Sequence, residues 1–336
     1  MRRISARLLA LILLFSPVLS AGSEDTFPPA VDDLLQYVLR PPTTTYQGKI
    51  RTSLSSNGRL RTEDANVYFR PGNVYRWEFV NPEGKLSRTV VSDGTKEYVR
   101  VPGGKKVQEG AAVKSAAKLL GEDREKALLE ANYKTSALPP RTEAGRSVLG
   151  LALWPKVAGK PCQEFWIDQE TGVILRVKRF LPGMATSAET RFLEFTPNAA
   201  LSDDLFLFKT EPGERVVAHD LDPDFLSLDA LLKATGRSIH PPFNLPEGFV
   251  FESADFFEEG KTVLLQVRYT DGLAVLSLFR TEKAIQPAAP DIAPQPGAER
   301  LSGPIHTVQW KKGSYYYLLM GDLSKRLLET VSTHFK

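Results

Sequence analysis

The sequence predicts an α+β protein of two domains, in which a large antiparallel sheet precedes a smaller α+β unit. Three observations predict this fold class. From Tyr46 onward, short runs of β-branched and aromatic residues alternate with Gly, Pro and Asp-Gly turns, which is typical of a meander of strands. Residues 111–133 contain much Ala, Leu, Lys and Glu and no proline, which favours helix. A chain of 336 residues with 42% hydrophobic content also exceeds one typical domain.

Residues 1–22, MRRISARLLALILLFSPVLSAG, have the pattern of a secretory signal peptide. Arginines precede an apolar run that is too short to span a bilayer and ends in small residues. We therefore expect an exported protein that is cleaved near Ser20–Gly22. The Arg2-Arg3 pair leaves the twin-arginine export route open, although the surrounding residues fit it poorly.

Charge and cysteine content argue against several classes of function. The formal net charge of +3 equals the three arginines of residues 1–22, which contain no acid, so the rest of the chain is close to neutral. General electrostatic attraction to nucleic acid is therefore not expected. Cys162 is the single cysteine, which excludes an intramolecular disulfide, and no cysteine near the cleavage region could carry a lipid. No later run of 18 apolar residues predicts a second membrane span.

The first elements follow from hydrophobic spacing. Val31, Leu34, Leu35 and Val38 have helical spacing, and the prolines that follow Arg40 end that helix. The spacing then changes to two, which predicts strands. Five strands are predicted in YQGKIRTSL, NVYFRPG, VYRWEFV, RTVVSDG and TKEYVRVPGG.

A helical insertion and further strands complete the first domain, residues 28–208. Residues 111–133 predict one or two helices, broken at Gly121, that lie over the sheet. Strands resume in RSVLGLALWPKVAG, CQEFWIDQETGVILRVKRF and AETRFLEF, and DQETG is a hairpin turn. We expect roughly ten strands in this domain.

Residues 209–240 are predicted to be a linker that contains the short helix SLDALLKATG, capped by Ser227 or Asp229 and ended by Gly236. The second domain, residues 241–336, begins with the strands of LPEGFVFESADFF and TVLLQVRYTDGLAVLSLFR. Residues 284–304 are poor in large apolar side chains and predict a mobile loop. Two more strands, HTVQWKKG and SYYYLLMGD, and a helix from Ser324 to about Phe335 follow.

No catalytic or metal-binding pattern is present in the sequence. It contains no G-x-S-x-G elbow, no G-x-x-x-x-G-K-[ST] phosphate loop and no H-E-x-x-H helix, and its four histidines lack metal-ligand spacing. We therefore predict no enzyme, no metal site and no cofactor. A carboxylate pair stays open, since a glycosidase needs only two that lie close in space. Asp93, Asp271 and the run Glu258-Glu259-Gly260 favour turns instead.

The run VYRWEFV places Tyr75, Trp77 and Phe79 on one face of a strand and Arg76 and Glu78 on the other. Two interpretations stay open, because these rings could be core or could line a cavity. The number of rings in the domain, under a helix of small residues, favours a cavity that an acyl chain could fill. These rings are Tyr68, Tyr75, Trp77, Phe79, Tyr98, Trp154, Phe165, Trp166, Phe192 and Phe195.

The motifs FRPGNVYRWEF, VVSDGTKEYVRVP and FWIDQETGVILRV occur in the order found in the periplasmic lipoprotein carrier LolA and its relatives. The chain resembles that family over about residues 30–208. The resemblance implies an incomplete antiparallel β-barrel with an apolar lining and a helical lid. It implies a lid contact for Arg70, although one extra residue after Pro71 departs from the family pattern. The apolar cavity is expected to involve Tyr68, Tyr75, Trp77, Phe79, Tyr98 and Trp166.

The second domain is similar to that of the MucB/RseB regulators in LPEGFVFES, VRYTDGLAVLSLF and YYYLLMGDLS, over about residues 240–336. This resemblance implies a protein that binds the periplasmic domain of an anti-sigma factor and senses lipid or lipoprotein in the first domain, modulating envelope-stress signalling. A LolA-like lipoprotein carrier or chaperone is the first alternative. A secreted hydrolase is the second, and it would require two carboxylates or a Ser/His pair converging in a cleft.

Overall fold

The computed structural model describes residues 31–56, 59–112, 119–183, 188–218, 223–235, 241–259, 262–283 and 306–335. The predicted signal peptide and the predicted mobile loop at residues 284–304 lie outside these ranges. Within them, a large sheet and a smaller second sheet make up most of the chain, and few helices accompany them. The predicted fold class, α+β with an unclosed antiparallel sheet and a smaller second unit, is confirmed.

The large sheet contains twelve strands, which run antiparallel to their neighbours except at one edge. Their order is β12-β6-β5-β4-β3-β2-β1-β11-β10-β9-β8-β7. The strands are β1 (Tyr46–Ser56), β2 (Arg59–Arg70), β3 (Val74–Val80), β4 (Leu86–Asp93), β5 (Lys96–Arg100), β6 (Lys106–Ala111), β7 (Tyr133–Glu143), β8 (Arg146–Pro155), β9 (Cys162–Asp168), β10 (Ile174–Phe180), β11 (Ala188–Pro197) and β12 (Arg215–Ala218).

The sheet curls around a buried cluster on one of its faces, which we call the inner face. Side chains of β2 and β3, such as Phe69 and Tyr75, belong to the same cluster as Val148 of β8 and Trp166 of β9. Strands β1, β11 and β10 lie between these two groups in the sheet order. Strand β7 also contacts β11, although three strands lie between them in the sheet order, so the sheet bends at this end.

Two helices pack on the inner face at one end of the large sheet; the opposite face is called the outer face. Helix α1 (Val31–Leu39) and helix α2 (Glu122–Asn132) share a buried cluster with Phe165 and Ile167. Cross-strand pairing connects Phe165 through Val177 and Thr190 to Thr52, which lies on the same face as Ile50 of the inner cluster. The helix predicted from Val31 to Val38 is confirmed, and so is the helix that follows Gly121. Residues 113–118, in the first part of the predicted insertion, lie outside the described residues.

The segment predicted as a linker, residues 209–240, contributes a strand to the large sheet. Strand β12 pairs in parallel with β6, from the Arg215–Lys106 pair to the Ala218–Glu109 pair. The sequence analysis missed this strand, β6 and also β7, whose run contains Pro139 and Pro140. Helix α3 (Leu228–Ala234) then forms as predicted, and the hydroxyl of Ser227 accepts a hydrogen bond from the backbone N–H of Ala230.

The second sheet has five strands in the order β13-β14-β15-β17-β16, with helix α4 packed against it. Ser324 caps α4 as its predicted first residue. Strands β13 and β14 pair antiparallel up to the Glu259–Thr262 pair, and residues 260–261 of the predicted hairpin turn lie outside the described residues. These elements are β13 (Val250–Glu259), β14 (Thr262–Thr270), β15 (Val275–Thr281), β16 (His306–Lys312), β17 (Tyr315–Gly321) and α4 (Lys325–Ser332). Two 3-10 turns, Asp203–Phe206 and Pro246–Gly248, complete the fold.

Candidate functional site

The part of the inner face formed by β1, β2 and β11 is a packed aromatic core. Tyr46 stacks on Phe69 with ring centroids 5.0 Å apart, and Phe192 meets Tyr46 edge to face at 5.8 Å. These three side chains are buried, as is Trp166, of which 4% is exposed. This part of the interior is filled by the protein's own rings, which agrees with the core interpretation for these residues.

The inner face is less covered where β3, β4 and β5 lie side by side. Cross-strand pairing places Trp77 opposite Val90, and Val90 opposite Val99, so the three side chains form one row. Phe79 lies 5.9 Å from Trp77, centroid to centroid, and all four side chains are only partly buried. The described residues therefore leave apolar surface accessible here. We call this row, with Phe79, the apolar row.

Polar side chains border the apolar row at both ends. The guanidinium of Arg88 lies 3.8 Å from the ring centre of Phe79, and its Nη2 atom is 3.3 Å from a carboxylate oxygen of Glu63. At the other end, the hydroxyl of Tyr75 donates to the carboxylate of Glu97. These contacts hold the carboxylates of Glu63 and Glu97 at the two ends of the row. The row with its two ends fits an apolar chain that carries a polar head group.

Tyr68 and Tyr98 lie on the outer face and do not share a surface with the apolar row. Cross-strand pairing places Tyr68, Arg76, Val91 and Tyr98 in one row. Arg76 follows Tyr75 in β3, and successive side chains of a strand point to opposite faces, so this row lies on the face opposite to Tyr75. The ring of Tyr98 stacks on Phe208 at 4.5 Å. The six residues predicted to line one cavity are thus divided between two faces, and the structure brings together only Tyr75, Trp77, Phe79 and Trp166 in one cluster.

Arg70 also lies on the outer face, where it holds the chain that follows β11. Its guanidinium donates to the carboxylate of Asp203 and to the carbonyl of Leu201, and it lies 4.9 Å from the ring centre of Phe206. Phe206 is buried against β3 and β4 as a result. The described contacts of Arg70 therefore fasten a loop to the sheet, whereas the resemblance implied a contact with lid helices.

A buried ionic junction connects the two sheets. Lys160, just before β9, forms a 2.7 Å salt bridge with Asp271, in the turn between β14 and β15, and neither side chain is exposed. Asp271 also accepts from the Tyr133 hydroxyl at 3.0 Å and from the backbone N–H of Ala274 at 2.7 Å. Burial, and then the charge of Asp271, raise the pKa of Tyr133 well above its ordinary value, so its hydroxyl stays a donor.

A second buried pair supports the same junction. Arg179 of β10 pairs with Asp322, directly after β17, and it also donates to the carbonyl of Leu273 and to the side chain of Gln163. Burial raises the pKa of Asp322, and the Arg179 guanidinium opposes this shift. Asp271 fulfils its predicted turn role, but the sequence analysis missed both ion pairs.

Gly272 lets the β14–β15 turn approach helix α2 closely. Its φ is +98°, and a Cβ atom there would lie 2.9 Å from the backbone nitrogen of Leu129. We expect Gly272→Ala to lower the free energy of unfolding by about 1–3 kcal/mol, because it adds backbone strain and a contact that rigid backbone cannot relieve. Gly313→Ala is the control, since its φ is +61° and no atom lies within 4 Å of the added Cβ. Equal losses in urea denaturation of the two variants would contradict a tight junction.

The described residues contain no candidate metal site and no reactive thiol. No group of three or more His, Cys, Asp or Glu side chains within it could hold a metal ion. Burial raises the pKa of the Cys162 thiol, which keeps the sulfur protonated and a weak nucleophile. No helix of the described residues is long and apolar enough to cross a membrane.

Comparison with solved structures finds proteins whose fold is similar to that of this chain over most of its length. No family model and no curated protein sequence matches this chain. A structure of MucB in complex with MucA(peri) aligns with a TM-score of 0.51 and 17% identity, covering 86% of this chain and 91% of that one. The complex of MucA and MucB from Pseudomonas aeruginosa gives a TM-score of 0.51 and 17% identity, with 86% and 92% covered. The alignment extends over both sheets, and the chain therefore has the fold of MucB.

Proposed function

We propose that this protein is a periplasmic regulator with two linked binding functions. It binds the periplasmic domain of a membrane-anchored anti-sigma factor, and it senses the acyl chain of a lipid or lipoprotein on the apolar row. The observation that supports this most strongly is an accessible apolar row in a chain whose fold is that of MucB, which was solved bound to MucA(peri). The protein acts by binding, without catalysis.

The apolar row has the chemistry that an acyl chain requires. Each methylene buried against Trp77, Phe79, Val90 and Val99 contributes about 0.8 kcal/mol. A few methylenes therefore supply the roughly 1–3 kcal/mol that typically couples two binding sites. The borders at Arg88 and Glu97 keep a polar head group at the ends of the row, in reach of water.

The buried junction offers a physical connection between the acyl site and the second domain. Strand β9 carries Trp166 of the inner cluster and begins two residues after Lys160, which pairs with Asp271 of the second domain. Strand β10 carries Leu175 in the inner cluster and Arg179 at the junction. A ligand that shifts these strands alters both ion pairs, and through them the surface that a partner contacts.

A capture experiment tests the partner assignment. The full chain, immobilised and exposed to a detergent extract of the native envelope, is expected to retain a single-span protein whose gene lies beside that of a sigma factor, identified by mass spectrometry. A carrier that ferries lipoproteins shares the acyl site but not this partner. Retention of lipoproteins alone would therefore contradict the regulator and support the carrier.

A further inference from the structure

A cavity of about 220 Å³ lies in the second domain, on the face of its sheet that also carries helix α4. Its floor consists of Leu265, Val267 and Leu278, which belong to the buried core of that domain. An apolar cavity of about 150 Å³ in another protein binds benzene, so a cavity of this size can hold a small apolar ligand. This size suits one short hydrocarbon chain rather than a folded segment.

Aromatic rings form one wall of this cavity. Tyr317 and Phe335 line it, and Trp310 lies between them, stacked on Tyr317 at 5.2 Å and on Phe335 at 6.1 Å. The Tyr317 and Trp310 planes differ by only 2°, so these two rings are stacked on each other. Rings held in such a stack are rigid and can take up an apolar chain without losing side-chain freedom.

The rim of the cavity carries positive charge. Two cations, Arg280 and Lys312, line it, and no carboxylate belongs to the described residues that surround it. The Arg280 guanidinium lies 3.6 Å from the ring centre of Tyr315, which orients its plane. The Nε–H of Arg280 is buried and has no hydrogen-bond acceptor among the described residues. Such a donor is satisfied when an anion binds beside it.

We propose that this cavity binds a short-chain fatty acid anion, with its carboxylate beside Arg280 and Lys312 and its chain against Leu265, Val267 and Leu278. The cavity is small, so a short chain such as that of octanoate suits it better than the long chain of a membrane lipid. The planar guanidinium and the carboxylate have matching fork geometry. This site is separate from the apolar row and gives the second domain a ligand of its own.

Calorimetric titration of the full chain with octanoate tests this assignment. The titration is carried out in a Trp77→Glu background, so that the apolar row does not contribute. Octanoate is expected to bind with one site per chain, and hexanoate about tenfold more weakly, because two buried methylenes are lost. Octylammonium, which has the same chain and the opposite charge, is expected not to bind. Equal binding of octanoate and octylammonium would overturn the proposal.

Variants at the rim locate the site. Arg280→Gln is expected to weaken octanoate at least tenfold, and Lys312→Gln, at an exposed side chain, provides a second test that leaves the core untouched. Lys311→Gln is the matched control, because Lys311 pairs with Tyr316 on the opposite face of the sheet. Unchanged octanoate affinity in both rim variants, or an equal loss in Lys311→Gln, would contradict the assignment.

Discussion

Replacing Lys160 with methionine is expected to lower the free energy of unfolding by about 3–5 kcal/mol. The substitution leaves the Asp271 carboxylate buried without its cation, in a site where neither partner is exposed. The remaining donors, Tyr133 and the backbone of the turn, do not neutralise the charge. Urea denaturation followed by circular dichroism measures the loss.

The reference for this variant is an exposed ion pair on the same domain. Lys126 and Glu130 lie one helical turn apart on α2 at 3.6 Å, and their side chains are 34% and 52% exposed. Lys126→Met is expected to change stability by no more than about 0.5 kcal/mol. The double variant Lys160→Met/Asp271→Asn removes both charges, and it should recover part of the loss. A Lys160→Met variant as stable as Lys126→Met would refute the junction.

Trp77→Glu is expected to reduce the acyl chains that copurify with the protein at least tenfold. The substitution removes the largest ring of the apolar row and places a carboxylate where the chain would lie, which an apolar ligand cannot compensate. A tenfold loss corresponds to about 1.4 kcal/mol, less than the contribution of two methylenes. Mass spectrometry of a solvent extract, from protein purified from its native compartment, measures the content of acyl chains.

The matched control for this variant is Trp154→Glu. Trp154 is a tryptophan on β8 that is 45% exposed and is not part of the inner cluster. Its variant should retain the lipid content of the unmodified protein. Because Trp77 is only partly buried, its variant is expected to keep both domains folded, which near-ultraviolet circular dichroism verifies. Equal lipid content in the two variants would contradict the assignment of the apolar row.

The sequence predicted which side chains share a face of the sheet only where those side chains belong to one strand. Tyr75, Trp77 and Phe79 share a strand, so their alternation fixes a common face. Tyr68 lies on the previous strand, and its face depends on the turn between them. That turn uses Gly72 and Asn73 with positive φ and pairs Phe69, not Tyr68, with Tyr75. A shift of one residue in such a turn exchanges the two faces, and the sequence alone does not fix the register.

The sequence also could not predict which residues far apart in the chain form ion pairs or pair as strands. Asp271 precedes a glycine, and its turn role follows from that pair alone. Its salt bridge depends on Lys160, which is far away in the chain and lies in a polar stretch between two strands. Nothing in a single sequence distinguishes such a lysine from an exposed one. The same holds for Arg179 and Asp322, and for the parallel pairing of β12 with β6.

The affinity for the anti-sigma factor, measured with and without a bound acyl chain, tests the central claim most directly. The periplasmic domain of the captured partner is titrated into delipidated protein and into protein saturated with a lipid that has copurified with it. We expect lipid to raise the dissociation constant about 5- to 150-fold, the usual range for two coupled sites, and Trp77→Glu to abolish the difference. Equal dissociation constants in the two states would contradict the regulator.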